Sequence, residues 1–154
     1  MILSGETIKR LGILYPCNER TIHTSGLTYG LSHCGYDIRV AQDVSFFEYR
    51  FTLASSVEQF TIPDDVMGVV HDKSTWARQG LSVFNTVIEP GWKGYLTLEL
   101  VNHYNIVTIK AGTPIAQVVF HQVDEKVPGY KGKYQNQPNQ PIQARFDDCL
   151  GSFE

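Results

Sequence analysis

The strand that sets the class of this fold lies at residues 95–102, which read YLTLELVN. Three leucines at even positions alternate with Thr97, Glu99 and Val101. Because successive residues of a strand point to opposite faces of a sheet, the leucines share one face and the other three residues share the second. The pattern predicts a strand with one face in an apolar core and a lone carboxylate on the other.

Similar short runs, rich in β-branched and aromatic residues, fill the chain from residue 36 onward. The predicted strands cover residues 36–40, 44–53, 57–62, 66–71, 81–84, 95–102, 106–109 and 115–123. Clusters of proline, glycine and aspartate mark turns at 63–65, 90–94 and 111–114. Many strands with almost no intervening helix predict an all-β sandwich, jelly roll or distorted barrel.

Two short helices are also predicted. Ser4 can cap a helix over residues 3–12 that closes near Gly12, and Ser74 can start a second one in the polar stretch 71–80. The apolar side of the first helix is formed by Ile8, Leu11 and Ile13.

The length of 154 residues predicts a single domain, 1–154, whose C-terminal tail begins near residue 125. Residues 130–141 are rich in glutamine, asparagine, proline and glycine. Such a segment cannot build a core of its own, so we expect it to be disordered or to be ordered by a ligand or a neighbouring subunit.

A formal net charge of −3 argues against a nucleic-acid binder, although it allows a local phosphate pocket. The apolar runs are too short to cross a membrane, and the N-terminus lacks the features of a secretory signal, so we expect a cytoplasmic protein of a cell or a virus-infected host. Three scattered cysteines, Cys17, Cys34 and Cys149, indicate neither a disulfide framework nor a metal knuckle.

The stretch 71–80, HDKSTWARQG, interrupts the strand pattern and carries the first candidate site. Lys73, Ser74, Thr75 and Arg78 combine two cations with two hydroxyls at a helix start, an arrangement that favours a small anion such as a phosphate. A capped surface helix with solvated charges is the alternative.

Glu99 is the candidate catalytic base. A carboxylate within an apolar strand is costly to bury unless it is paired, and sites that tolerate this often use the altered pKa for proton transfer. The alternative is a solvent-facing glutamate on a half-exposed strand.

Four blocks resemble, in order, the signature segments of dCTP deaminases. They are KSTWARQG at 73–80, IEPGW at 88–92, LEL at 98–100 and KYQNQ at 133–137, and the segments 35–39 and 57–68 are also similar to family segments. The resemblance implies a distorted jelly-roll or β-barrel subunit of the dUTPase-like type. It also implies a homotrimer with active sites between subunits, and Mg²⁺ accompanying the nucleotide triphosphate.

The resemblance further implies residue roles. Glu99 would be the catalytic acid and base, and Thr97 and Leu98 would offer backbone contacts to the pyrimidine. Phosphate binding and water positioning would fall to Lys73, Ser74, Thr75 and Arg78. The remaining substrate contacts would come from Glu89 at the sugar and from the tail residues Tyr130 (or Tyr134 in its place), Lys133 and Gln137.

The implied activity is hydrolytic deamination of dCTP to dUTP and ammonia, a step in dUMP and dTTP supply, with dTTP as a potential inhibitor. A zinc mechanism is not expected, because Pro16-Cys17 lacks the second cysteine of a P-C-x-x-C motif. The alternatives are a bifunctional enzyme that continues to dUMP and diphosphate, a dUTP diphosphatase that relies on Glu89, and a catalytically silent nucleotide-binding trimer.

Three departures from the family pattern leave open which base the substrate carries and how many phosphates it has. Lysine stands at position 73 where arginine is usual, glutamate stands at 89 in place of aspartate, and the segment between Gly80 and Glu89 is shorter than expected. A modified cytosine nucleotide or a monophosphate is therefore an alternative substrate.

Overall fold

The computed structural model describes residues 1–48, 50–106 and 108–146. Its helices are α1 (Gly5–Leu11) and α2 (Ser74–Ala77). Its strands are β1 (Leu14–Tyr15), β2 (Thr21–Ile22), β3 (Thr28–Leu31), β4 (Tyr36–Arg39), β5 (Val44–Ser45), β6 (Phe51–Thr61), β7 (Val66–Asp72), β8 (Leu81–Val83), β9 (Val87–Ile88), β10 (Lys93–Asn102), β11 (Thr108–Ile109) and β12 (Pro114–Gln122). The predicted all-β class is confirmed.

Within the described residues, the strands form a sheet of order β2-β3-β4-β12-β7-β9 and a second sheet of order β1-β6-β10-β8, with β5 and β11 paired separately. All of these strand pairs are antiparallel. Aromatic rings from both sheets meet in the core, where the centroids of Phe60 on β6 and Phe120 on β12 are 6.4 Å apart. The long strands β6 and β10 lie side by side at the centre of the second sheet.

Both predicted helices are confirmed. The Ser4 side chain accepts a hydrogen bond from the Thr7 N–H, and Gly12 ends α1 in the left-handed conformation at φ 63°. The expectation that Leu11 faces the core is wrong, because it is 37% exposed whereas Ile8 and Ile13 are fully buried. Among the described residues, neither helix has the length or apolar character needed to cross a bilayer.

The predicted strand 44–53 is wrong as a single element. Val44–Ser45 pairs with β11, whereas β6 begins only at Phe51 and runs without a break to Thr61. Two strands of different sheets therefore occupy one apolar stretch. Four short strands, β1, β2, β3 and β9, were not predicted, because two to four residues give too little alternation to be recognised.

The tail is ordered by its own subunit, which corrects the expectation of disorder or of ordering by a ligand or neighbour. Gln137 forms a parallel bridge with Gly94, and its carbonyl accepts the Tyr95 N–H at 3.0 Å. The Asn136 N–H donates to the Lys93 carbonyl at 2.8 Å. The start of β10 supplies the partners that the tail's composition cannot supply.

Cys17 is partly buried and Cys34 is exposed, and both are free thiols. Cys149 lies outside the described residues.

Candidate active site

Glu99 lies in a cavity of about 420 Å³ beside β10. The cavity is walled by the start of β6, the segment 86–89, the side of β10 and the tail. Its lining residues are Phe51, Leu53, Thr86, Val87, Ile88, Glu89, Trp92, Leu96, Thr97, Glu99, Tyr130, Tyr134, Gln137, Ile142, Gln143 and Ala144. The strand alternation seen in the sequence puts Thr97 and Glu99 on the cavity side, while Leu98 and Leu100 are buried on the other face.

At one oxygen of the Glu99 carboxyl group, no described residue supplies a hydrogen bond. This oxygen, Oε2, is buried. Burial raises the pKa of Glu99 above its ordinary value of 4.5, and a hydrogen bond with its own backbone offsets part of this effect. The cavity therefore holds a carboxyl group that accepts a proton more readily than an exposed glutamate does.

The backbone groups of Thr97 and Leu98 point to opposite edges of β10. Thr97 is in register with Ser55, whose own N–H and C=O bond to Gln42 and Ala41 on the far side of β6. Backbone groups of an antiparallel strand point alternately to its two edges, so Thr97 directs its groups away from β6 and Leu98 directs its groups toward β6. The backbone contacts with a pyrimidine that the sequence indicates for Thr97 and Leu98 stay predictions, since the two residues face opposite edges of the strand.

Trp92 anchors the tail beneath this cavity. Its indole Nε1 donates to the Tyr134 carbonyl at 2.6 Å, and its ring packs near Phe60 with centroids 6.1 Å apart. Gly94 allows the tail to approach β10 closely. Its φ is 142°, and an added Cβ would lie 2.6 Å from the Gln137 N atom. Only glycine combines this conformation with such a close approach of the tail.

Most of the predicted tail residues line the cavity. Tyr130 and Tyr134 both contribute, and the Tyr130 hydroxyl accepts the Tyr134 N–H at 3.3 Å. Gln137 reaches inside, where its Oε1 accepts a hydrogen bond from the Thr97 hydroxyl at 2.9 Å. Lys133 lies outside the cavity lining, with its Nζ 5.4 Å from the centre of the Tyr134 ring.

Glu89 also belongs to the Glu99 cavity. Its side chain is exposed, and its carbonyl accepts the Trp92 N–H at 3.1 Å in the turn before β10. Two predicted carboxylates therefore border one cavity, the half-buried Glu99 and the exposed Glu89.

The predicted phosphate loop borders a different, more polar cavity of about 430 Å³. Lys73, Ser74 and Thr75 line it together with Arg20, Asp37 and other residues of the first sheet. The Lys73 Nζ lies 2.5 Å from Asp37 Oδ2, and these side chains are only 9% and 13% exposed. Lys73 is therefore neither the solvated charge of the surface-helix alternative nor a cation left unpaired for a phosphate.

One subunit does not unite the predicted catalytic residues. Ser74 is among the residues that line the second cavity, and the exposed Arg78 lines neither cavity, whereas Glu99 lies in the first. Any arrangement that joins Ser74 and Arg78 to Glu99 needs more than the single chain.

Several residues of the site were not predicted from the sequence, because no motif marks them. Phe51 and Leu53 reach the Glu99 cavity from the neighbouring strand β6, and Ile142 reaches it from the tail. Asp37 lies 36 positions before its partner Lys73, within a segment that was noted only as similar to the family. These assignments depend on strand register, which a single sequence does not provide.

Within the described ranges, no group of three or more histidine, cysteine, aspartate or glutamate side chains is arranged to hold a metal ion. His71 lies in β7, in register with Gln117 of β12.

Comparison with known proteins gives the family. A family model described as dCTP deaminase-like matches residues 48–123. The chain is 33% identical to a dCTP deaminase of Acidobacterium capsulatum over 160 residues, covering 82% of this chain and 87% of that protein. It is 36% identical to a dCTP deaminase of Gemmatimonas aurantiaca, with the same shares covered, and 35% identical to that of Campylobacter jejuni, covering 81% and 86%.

Solved structures agree on the fold. A 2'-deoxycytidine 5'-triphosphate deaminase from Agrobacterium tumefaciens superimposes with a TM-score of 0.62 at 15% identity, covering 79% of this chain and 47% of that one. A Staphylococcus bacteriophage 80alpha dUTPase with dUPNHPP gives 0.56 at 18% identity, covering 73% and 84%. A mutant dUTPase from phage phi11 of S. aureus, described with a structural Mg(II) ion, gives 0.55 at 17%, covering 75% and 88%. The expected dUTPase-like fold is confirmed.

Proposed function

The chain belongs to the dCTP deaminase family, and from this premise we propose that it catalyses the hydrolytic deamination of dCTP to dUTP and ammonia. The observation that carries this proposal is the buried Oε2 atom of Glu99, which has no hydrogen bond among the described residues. A general base works best when its pKa lies close to the working pH, and burial raises the pKa of Glu99 in that direction.

The reaction needs only proton transfers by this chain. Glu99 removes a proton from a water molecule as the water oxygen attacks C4 of cytosine, and the protonated carboxyl then delivers the proton to N3. In the tetrahedral intermediate, the second proton of the attacking oxygen passes through Glu99 to the C4 amino group. The C4–N bond breaks, ammonia leaves, and C4 keeps the oxygen as a carbonyl.

Base recognition falls to the cavity edge beside Glu99. The backbone N–H and C=O of Thr97 offer one donor and one acceptor, which matches the polar edge of a pyrimidine. Glu89 faces the sugar, and Tyr130, Tyr134 and Gln137 close the tail side of the cavity. Lys133 lies within reach of a phosphate at the mouth.

Assembly into a homotrimer completes this site. Ser74 would position the attacking water and Arg78 would interact with the Glu99 carboxylate, both from a neighbouring subunit. The separation of the two cavities within one chain supports this arrangement. Further support comes from Phe51 and Phe84, exposed by 48% and 52% with ring centroids 6.2 Å apart, because paired rings at the rim of the Glu99 cavity suit a covering subunit.

Magnesium enters as part of the substrate, bound to the triphosphate. A dUTPase of the same fold from phage phi11 is described with a structural Mg(II) ion, which supports a role for magnesium in general. The hydroxyls of Ser74 and Thr75 border the polar cavity that would receive the phosphates. A site of this kind would also admit dTTP as an inhibitor, and a cytoplasmic location would supply all of these nucleotides.

The proposal is tested by incubating the protein with dCTP and Mg²⁺, separating the nucleotides by ion exchange and assaying ammonia. Equal amounts of ammonia and dUTP are expected, and dUMP with diphosphate in addition would identify a bifunctional enzyme. The Glu99→Gln variant should bind dCTP and release no ammonia. Ammonia release by that variant at the normal rate would rule out the mechanism.

A dUTP diphosphatase is the second candidate, because Glu89 borders the same cavity and the structural neighbours include dUTPases. This hypothesis predicts that the protein forms diphosphate from dUTP and no ammonia from dCTP. It also predicts that the Glu89→Gln substitution abolishes the activity and that Glu99→Gln does not. A silent nucleotide-binding trimer would bind dCTP in calorimetry and form no product.

A further inference from the structure

The hydroxyl of Thr97 joins two separate parts of the tail. Its Oγ1 donates to Gln137 Oε1 at 2.9 Å and accepts a hydrogen bond from the Ile142 N–H at 3.1 Å. Thr97 is buried, so water does not compete strongly for these bonds. One side chain of β10 thus fixes both a tail side chain and the tail backbone five residues later.

The chemistry of the hydroxyl sets the orientation of the Gln137 amide. The Ile142 N–H can only donate, so it uses a lone pair of Oγ1 and leaves the single hydroxyl proton for the other partner. In the structure that partner is the amide oxygen of Gln137, which accepts the hydroxyl proton, and not the NH₂ group. The Nε2 atom is therefore turned away from Thr97.

The Nε2 group of Gln137 has a defined position and no acceptor in the part of the chain that the structure describes. The backbone of Gln137 is fixed by the bridge to Gly94 and by the Tyr95 N–H, and its side chain lines the cavity that contains Glu99. Among the described residues, Nε2 makes no hydrogen bond. A donor held in this way inside a binding cavity is suited to an acceptor atom of the ligand.

We propose that Thr97 is a positioning residue whose hydroxyl holds the Gln137 amide so that Nε2 donates to an acceptor oxygen of the bound nucleotide. This inference rests on the proposed function, because it takes the ligand of the cavity to be dCTP. The acceptor is an oxygen of the base, the sugar or the phosphate chain.

The contact serves binding more than the chemical step. Thr97 and Glu99 lie two residues apart on one face of β10, a separation of about 7 Å along a strand. Gln137 therefore addresses a part of the nucleotide away from the carbon that Glu99 acts on. Its loss should raise KM and leave kcat nearly unchanged.

The test compares Thr97→Val with Thr97→Ser, and with Thr61→Val as a control on an exposed threonine of β6. Thr97→Val should raise KM for dCTP about fivefold, the effect of one hydrogen bond, with kcat within about twofold. Thr97→Ser, which keeps the hydroxyl, and Thr61→Val should both stay near the wild-type KM. An unchanged KM in Thr97→Val, or a serine variant as weak as the valine variant, would overturn the proposal.

A double-variant cycle tests whether Thr97 acts through Gln137. Gln137→Met should raise KM as much as or more than Thr97→Val does, and Thr97→Val should add nothing in that background. Additive losses would show that Thr97 acts independently and would refute the positioning role. Equal losses with dCTP and dCMP would assign the acceptor to the nucleoside or its first phosphate, and a larger loss with dCTP would assign it to the outer phosphates.

Two measurements separate this proposal from the proposed function. If the wild-type protein releases no ammonia from dCTP, the proposed function fails, and calorimetric dCTP affinities of the same variants replace KM. Hydrogen exchange of residues 138–146 reports the Ile142 bond directly. Exchange there should be faster in Thr97→Val than in Thr97→Ser. Equal exchange in the two variants would contradict the role of the Thr97 hydroxyl in fixing the tail.

Discussion

Lys73 and Asp37 form a nearly buried ion pair between α2 and β4, with 2.5 Å between Nζ and Oδ2. Removing one member of such a pair leaves an uncompensated, largely buried charge and costs about 3–5 kcal/mol. Lys73→Met should therefore lower the free energy of unfolding in urea by about this amount. The double variant Lys73→Met/Asp37→Asn should recover most of the loss, whereas additive losses would show that the two residues are not coupled.

Glu99→Gln should stabilise the protein at neutral pH. Burial raises the folded-state pKa of Glu99, so the folded protein binds more protons than the unfolded chain between the two pKa values, and stability falls as the pH rises through that range. Glutamine does not ionise and escapes this cost. A gain of 1 kcal/mol would raise Tm by about 2–4 °C in a chain of this size.

The measurement that tests this prediction is the pH dependence of the difference in Tm between Glu99→Gln and the wild type. Below the ordinary glutamate pKa, both side chains are neutral and the two proteins should melt at similar temperatures. The advantage of Glu99→Gln should appear as the pH rises. Glu89→Gln, a change on an exposed side chain, should show no such trend, and a glutamine variant less stable than the wild type at pH 7 would contradict the prediction.

Mixed assemblies of two inactive variants should regain activity. If Glu99 and Ser74 come from different subunits, co-refolding equal amounts of Glu99→Gln and Ser74→Ala should pair intact residues at about a quarter of the sites. Ammonia release should therefore return to about a quarter of the wild-type value. Mixing Glu99→Gln with Glu99→Ala should restore no ammonia release, because both variants lack the same carboxylate. If the mixture of Glu99→Gln and Ser74→Ala were equally inactive, the whole site would lie within one chain.

Gly94→Ala should displace the tail from the start of β10 without altering a side chain of the cavity. The new Cβ would lie 2.6 Å from the Gln137 N atom, on a backbone at φ 142°. Faster hydrogen exchange of residues 135–142 and a raised KM for dCTP are expected. Gly12→Ala is the matched control, since φ is 63° there and nothing lies within 4 Å of the added Cβ, and a tail as open in this variant would implicate general strain.

Local patterns predicted those parts of the fold that local physics determines. The alternation in 95–102 placed Glu99 opposite Leu98 and Leu100, although Leu96 lines the Glu99 cavity beyond a register shift in β10. Ser4 and Gly12 marked the ends of α1. The region 44–53 was wrong because an apolar run does not reveal where a chain leaves one sheet for another. That exchange depends on pairing with β11 and β10, which lie far away in sequence.

The candidate site was predictable by residue type and less so by contact. Glu99, Glu89, Thr97, Gln137 and the two tail tyrosines were named from the sequence and share one cavity. The sequence could not show that Asp37 neutralises Lys73, since the pair joins distant segments. Leu98 was assigned together with Thr97, yet the edge that each backbone faces depends on the register with β6.

The bond between the Trp92 indole and the Tyr134 carbonyl gives the molecule an optical probe of its own. Indole fluorescence responds to the polarity and hydrogen bonding around the ring, and this ring lies between the core and the tail. The other tryptophan, Trp76, donates to the Pro114 carbonyl in a different part of the fold and could be replaced by phenylalanine. The emission of the remaining tryptophan would then follow the tail in real time as nucleotide enters and leaves, without any attached dye.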